Sequence, residues 1–216
     1  MAEHVFPFLW VDPLVVRLRA RFEAEARDGA HDLSHALRVA RNAHRLAEAA
    51  HANSEICVAA ALLHDLVYLP KNHPDSSRTS ALGAQEARAW CLAIPDLAPT
   101  ADAIAAAIAT HGFSSGAKAT TLEGAVLQDA DRLEAIGAIG LARCFATGGA
   151  MGAAMWHAQD PWGEQRSLDD KRFSLDHFEQ KLLKLAAAMN TEAGRRLADS
   201  RHQVLTGFLG ALRMEL

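Results

Sequence analysis

Apolar positions along this chain recur at intervals of three and four residues, and the alternation that marks half-buried strands is nearly absent. The pattern predicts an all-α protein. Asp12-Pro13 reads as a helix start, a capping residue followed by proline at the first helical position. Val15, Leu18 and Phe22 then mark a helix over Leu14–Ala26, stopped by Asp28-Gly29. Leu37, Ala40, His44 and Ala47 form one stripe of a second helix, Leu33–His51. Asn53-Ser54 caps a third helix running from Glu55 to about Val67. Its run Ile56, Val58, Ala59, Ala60, Ala61, Leu62, Leu63 is apolar nearly all round, as in a central buried helix.

Pro70 and Pro74 break the pattern and predict a loop from Leu69 to about Ser77. Helices fit Thr79–Ala93, Pro99–Thr110, Leu122–Asp131 and Ala135–Ala146. Gly148-Gly149 and the stretch Gln159–Lys171, with Trp156 and Trp162 nearby, read as a long excursion. Phe173-Ser174 opens a final pair, Leu175–Met189 and Thr191–Leu212. With no repeat and no linker composition, the expectation is a single domain over residues 1–216. Its core spans about residues 12–147, and a C-terminal helical extension covers about residues 148–216.

Composition narrows the function more than the fold. At 216 residues and 50% hydrophobic, the chain can bury a real core. A net charge of −4 argues against a nucleic-acid polymer or an anionic membrane as partner, because either needs clustered cations; a small anionic ligand needs only a few. No apolar stretch reaches the roughly 18 residues that span a bilayer. Met1-Ala2-Glu3-His4 lacks the basic flank and apolar run of a signal peptide, so a cytoplasmic location is expected. Cys57, Cys91 and Cys144, odd in number and each in an apolar helical context, read as reduced buried thiols.

Candidate chemistry gathers where apolar helices end in ionisable residues. His64-Asp65 closes the most buried helix, and two such groups belong there only if paired or bound to something, since desolvating an unpaired carboxylate is costly. His35 lies early in the preceding helix, opposite Arg38 and Arg41. Asp131 ends Gln128-Asp129-Ala130-Asp131, and His111 ends another Ala/Ile-rich helix. Helices converging on one polar pocket would account for all of these positions.

The ordered set His35-x-x-Arg38-Val39, Leu62-Leu63-His64-Asp65 and Asp129-Ala130-Asp131-Arg132-Leu133 resembles the signature of the HD-domain superfamily of metal-dependent phosphohydrolases. Further stretches are similar to the bacterial subfamily containing small nucleotide pyrophosphohydrolases. They are Val67-x-x-Pro70-Lys71-Asn72-His73-Pro74-Asp75, the run Asp131–Gly140, Leu168-Asp169-Asp170-Lys171, and Met189-Asn190-Thr191-Glu192-x-Gly194-Arg195-Arg196. The resemblance covers nearly the whole chain. One departure is Tyr68, where asparagine is common in the subfamily.

That resemblance implies an HD-domain helical bundle with additional C-terminal helices, and a divalent metal held by His35, His64, Asp65 and Asp131. Two imidazoles and two carboxylates suit Mn, Fe, Co, Ni or Zn, with Mg also open, better than calcium. The implied activity is hydrolysis of a nucleotide, a nucleoside triphosphate pyrophosphohydrolase being one form. Hydrolysis of another small phosphate ester, or a metal-bound sensing module without turnover, are the alternatives.

Asp65 and His111 are expected in the chemistry. Lys71, just past the His-Asp pair, is expected on substrate phosphate, as are Arg78 and Lys171, while Asp75 would orient a water or cap the following turn. His111 could be a proton donor, a second-metal ligand or a helix-end residue facing the dipole. His31 could pair with His35 at i, i+4 as a ligand or belong to the helix start. The long C-terminal helices, with Leu182, Leu205 and Phe208, could serve a homodimer or pack back on the core.

Overall fold

The structure is a computed structural model and describes residues 6–25, 31–69, 75, 78–112 and 116–216. Nine α-helices lie among these: α1 (Val11–Glu23), α2 (Leu33–Ala50), α3 (Ser54–Leu63), α4 (Thr79–Leu92), α5 (Ala101–Ala109), α6 (Leu122–Glu134), α7 (Gly137–Ala150), α8 (Asp176–Gln180) and α9 (Glu192–Glu215). Among the described residues there is no strand, only an isolated bridge between Ala154 and Phe173. Among the described residues no helix is long and apolar enough to cross a membrane. The chain is all-α.

Two compact units divide it, one through Asp131 and the other from Arg132 onward, so the boundary falls within α6. In the first unit α2 packs on α3, α3 on α5, and α4 on α5. Helix α3 is central: every residue from Ile56 to Leu63 is buried. It starts where Asn53 accepts a hydrogen bond from the Ile56 N–H (3.1 Å), which satisfies one of the helix's orphan donors. It ends at Leu63 rather than near Val67, so His64 caps it. Asp32 caps α2 in the same way through the His35 N–H (2.7 Å). The buried face of α2 is Ala36, Val39, Ala40, Ala43, Leu46 and Ala47, with His35 and Asn42 among them. Leu37 and His44, expected on that stripe, are only half-buried.

The start of α1 differs from expectation. It begins at Val11, with Trp10 in the cap position and no side-chain cap, and Pro13 sits within the first turn. Proline is tolerated there because those N–H groups have no partner inside the helix. Leu14, Leu18 and Phe22 bury its face. The Asp28-Gly29 stop and the proline-bounded loop over residues 70–74 lie outside the described residues.

In the second unit α7 begins at Gly137, whose φ of 75° suits glycine. A Cβ at Gly140 would fall 2.2 Å from the Ala135 carbonyl carbon, so that glycine admits the fold-back at the helix start. Helix α7 then runs through Gly148-Gly149, where the pattern suggested a break. Here the glycine serves packing: a Cβ at Gly148 would meet Ser174 Oγ at 2.1 Å. The expected helix Leu175–Met189 is instead α8 followed by two 3-10 turns, Leu182–Lys184 and Ala186–Ala188. Lys181 leaves helical geometry (φ −134°, ψ −58°). The Ala188 carbonyl accepts from Arg132 Nη1 (2.6 Å) instead of from a following helical turn. Burial of Phe178, Leu182, Leu185 and Met189 has the spacing of a helix, so periodicity alone does not register the breaks.

The excursion is ordered by its own polar groups. Asp160 accepts from the Glu164 and Gln165 N–H groups (2.9 and 3.0 Å). Arg166 forks onto the buried Asp176 carboxylate (2.6 and 2.7 Å), which also accepts from the Asp169 N–H (2.6 Å). Trp162 lies under the Arg213 guanidinium at 4.4 Å, a packing anchor rather than a free face.

Candidate metal centre

Four helices of the first unit supply the side chains that meet. His35 comes from the first turn of α2, His64 and Asp65 from the end of α3, His111 from just beyond α5, and Asp131 from the end of α6. Asp65 Oδ2 lies 3.2 Å from His64 Nε2 and 3.7 Å from His35 Nε2. Asp131 Oδ1 lies 3.5 Å from His35 Nε2 and 3.9 Å from His64 Nε2. His111 Nε2 is 4.0 Å from Asp65 Oδ1. Two overlapping sets of ligating atoms, His35/His64/Asp131 and His64/Asp65/His111, each lie within 4.8 Å of one another. These separations suit atoms facing one ion at about 2 Å each better than atoms bonded to one another.

Backbone carbonyls set two of the rings. His64 Nδ1 donates to the Ala61 carbonyl (2.8 Å) and His111 Nδ1 donates to the Ile108 carbonyl (2.6 Å). In the neutral ring this leaves the lone pair on Nε2, the atom that faces the carboxylates. His64 Nε2 is fully buried and has no hydrogen-bond partner. A buried nitrogen beside two carboxylates and without a hydrogen bond is costly unless a proton or a cation lies against it.

The electrostatics point the same way. Burial opposes charge on His64, but Asp65 and Asp131 outweigh it and push the imidazole up to about 9. Burial would raise Asp65, yet His64, His31 and His35 hold it well below the usual carboxylate range. Asp131 is likewise lowered, burial being outweighed by His35 and His64. His111 is lowered by burial and by the neighbouring charge of His64. The cluster therefore keeps two half-buried carboxylates ionised against buried imidazoles and draws positive charge to its centre. Two imidazole nitrogens with two carboxylates, His111 adjacent, match the preferences of a borderline divalent transition ion.

Asp75 and Arg78 do not join this set; both are exposed and pair with each other (3.3 Å). Lys171 is exposed in the second unit, its N–H donating to Asp169 Oδ1 (3.2 Å). Lys71 lies outside the described residues. His31 does not join the converging donors; its ring rests 6.0 Å from that of His35 and 5.7 Å from that of Tyr68.

One contributor was missed in the sequence. Gln128 is fully buried, and its Nε2 donates to the Thr110 and Ala117 carbonyls (2.7 and 3.0 Å). It thereby ties the segment bearing His111 to the helix bearing Asp131. An amide directly after the apolar run Ala125-Val126-Leu127 and three residues before Asp131 was the available signal.

Residues 32–136 match the family model of the HD domain. The chain is 33% identical over 190 residues to the uncharacterized protein YpgQ of Bacillus subtilis, covering 86% of this chain and 84% of that protein. The crystal structure of B. subtilis YpgQ in complex with ADP superposes with a TM-score of 0.73 at 29% identity, covering 95% of this chain and 97% of that one. An HD-superfamily hydrolase from Bacillus thuringiensis gives a TM-score of 0.73 at 30% identity, over 95% of this chain and 96% of that one. The matched span contains all five converging side chains, and the chain belongs to the HD-domain family.

Proposed function

We propose that the chain is a divalent-metal-dependent hydrolase that cleaves a phosphate ester or anhydride bond of a nucleotide, with release of pyrophosphate from a nucleoside triphosphate as the reaction to test first. The carrying observation is the convergence of His35, His64, Asp65 and Asp131, with a buried His64 Nε2 that has no hydrogen-bond partner. The solved relatives support the class of reaction and ligand: one is described as an HD-superfamily hydrolase, and YpgQ has been crystallised with ADP.

In this reading His35, His64, Asp65 and Asp131 hold the ion. A divalent cation there supplies a Lewis acid for a phosphoryl oxygen and brings the pKa of a water toward neutrality. His111 has its Nδ1 committed to Ile108, so its Nε2 accepts the proton of the attacking water and returns it to the leaving oxygen. Gln128 holds the His111 segment in register. Lys71 and Arg78 offset phosphate charge as it shifts in the transition state. Asp75 pairs with Arg78 and orients a water or caps the following turn.

The test begins with protein purified without chelator, assayed for bound metal and screened against nucleotides with Mn, Mg, Co and Ni, products being resolved by chromatography. Asp65→Ala is expected to abolish turnover while the helical circular-dichroism signal persists. Turnover that survives this change would overturn the site. Bound metal with no turnover of any nucleotide would overturn the enzymatic reading in favour of a sensing module.

A further inference from the structure

The imidazoles of the cluster belong to a longer row of rings. Centroids run from His111 to His64 (5.2 Å), to His35 (5.3 Å), to His31 (6.0 Å) and to Tyr68 (5.7 Å). Burial changes along it: His111, His64 and His35 are buried, whereas His31 and Tyr68 are half-exposed. The buried end is the part surrounded by carboxylates. The outer end is an imidazole and a phenol at a 39° tilt, too oblique to stack on each other.

A nucleotide has the same polarity. Its phosphates are anionic and need a cation, while its base is flat, uncharged and apolar on both faces. Tyrosine is suited to such a base because it offers a large π-face at little entropic cost and a hydroxyl that stays wet. Tyr68 is the chain's single tyrosine and stands three residues past Asp65, so the same short stretch carries both the carboxylate and the phenol. His31 stands four residues before His35, just ahead of α2, with its ring 5.7 Å from the phenol.

We propose that Tyr68, backed by His31, is the platform on which the base of the substrate nucleotide stacks, so that it selects nucleotides over base-free phosphates. This rests on the nucleotide hydrolysis of the preceding subsection and assigns its base subsite.

The test compares ATP with inorganic tripolyphosphate, which keeps the phosphate chain and lacks the base, using the full chain with Mn. Tyr68→Ala is expected to raise the ratio of KM for ATP to KM for tripolyphosphate about tenfold, the usual scale for losing one stacked base. Tyr68→Phe and Tyr68→Trp are expected to return the ratio toward its original value, since each restores a π-face. A ratio unmoved in Tyr68→Ala, whether both constants rise together or neither changes, would overturn the platform. If the wild type hydrolyses neither compound, the proposed function falls by itself. The platform is then read from Kd values for ADP and pyrophosphate by calorimetry, where the same selective loss in Tyr68→Ala is expected and an equal loss overturns it.

Discussion

Two acidic sites, one in each unit, hold their carboxylates in opposite ways. Asp176 is satisfied by its own chain: both oxygens take Arg166 at 2.6 and 2.7 Å, and the Asp169 N–H adds a third bond. Asp65 and Asp131 face imidazole nitrogens at 3.2–4.0 Å, and His64 Nε2 goes without a hydrogen bond. The short, closed set holds a loop to a helix. The longer set leaves a buried imidazole nitrogen facing carboxylates, an arrangement that a cation would complete. Distance and satisfaction thus separate a structural ion pair from a set of donors that could hold an ion.

The largest effect expected from breaking this contrast is at the open set. Asp65→Ala should lower kcat/KM at least about a thousandfold, equivalent to roughly 4 kcal/mol, and reduce bound metal measured by elemental analysis. At the closed set, Arg166→Met should cost about 3 kcal/mol in urea unfolding because it strands the Asp176 carboxylate, with metal content unchanged. That figure sits at the low end for buried pairs because Arg166 keeps some contact with water. His111→Gln should lower kcat by about a hundredfold while metal is retained, as expected for lost proton transfer; lost metal would make His111 a ligand.

The closed pair also carries a pH signature. Although burial opposes charge on Asp176, Arg166 and the Asp169 N–H hold its carboxyl below the usual carboxylate range. The unfolded chain therefore takes up the proton first as pH falls. The stabilisation is whole above the unfolded pKa near 4 and drains away as pH drops toward the folded value. The difference in Tm between wild type and Arg166→Met should accordingly narrow below about pH 4. Smallest of all, Asn53→Ala should cost about 1 kcal/mol through the lost α3 cap, as read from thermal unfolding.

The chemistry-bearing unit was the more legible of the two in sequence. The unbroken apolar run Ile56–Leu63 permits only a buried helix, and a His-Asp pair at its end has to be compensated. The Asn53 and Asp32 caps are local bonds whose donors lie three residues away, so they too are written in the sequence. What escaped depends on contacts distant along the chain. Arg132 takes the Ala188 carbonyl across 56 residues, and the expected helix Leu175–Met189 breaks into pieces that share its periodicity. Gly148-Gly149 resembles a stop until Ser174 is found packed on it. The His31–His35 spacing and the departure at Tyr68 were visible in the sequence, but that the two stretches meet in one row of rings was not, because it joins residues distant along the chain.

The anchoring of His64 and His111 to carbonyls three residues back ties each ring to the last turn of its own helix. Helix ends open more readily than helix middles. An opening of residues 61–64 or 108–111 would release an imidazole from its aim, so in the proposed enzyme the hold on an ion would be only as firm as the end of each helix. Evolution is then free to exchange apolar residues within α3, provided that its final turn keeps its hold.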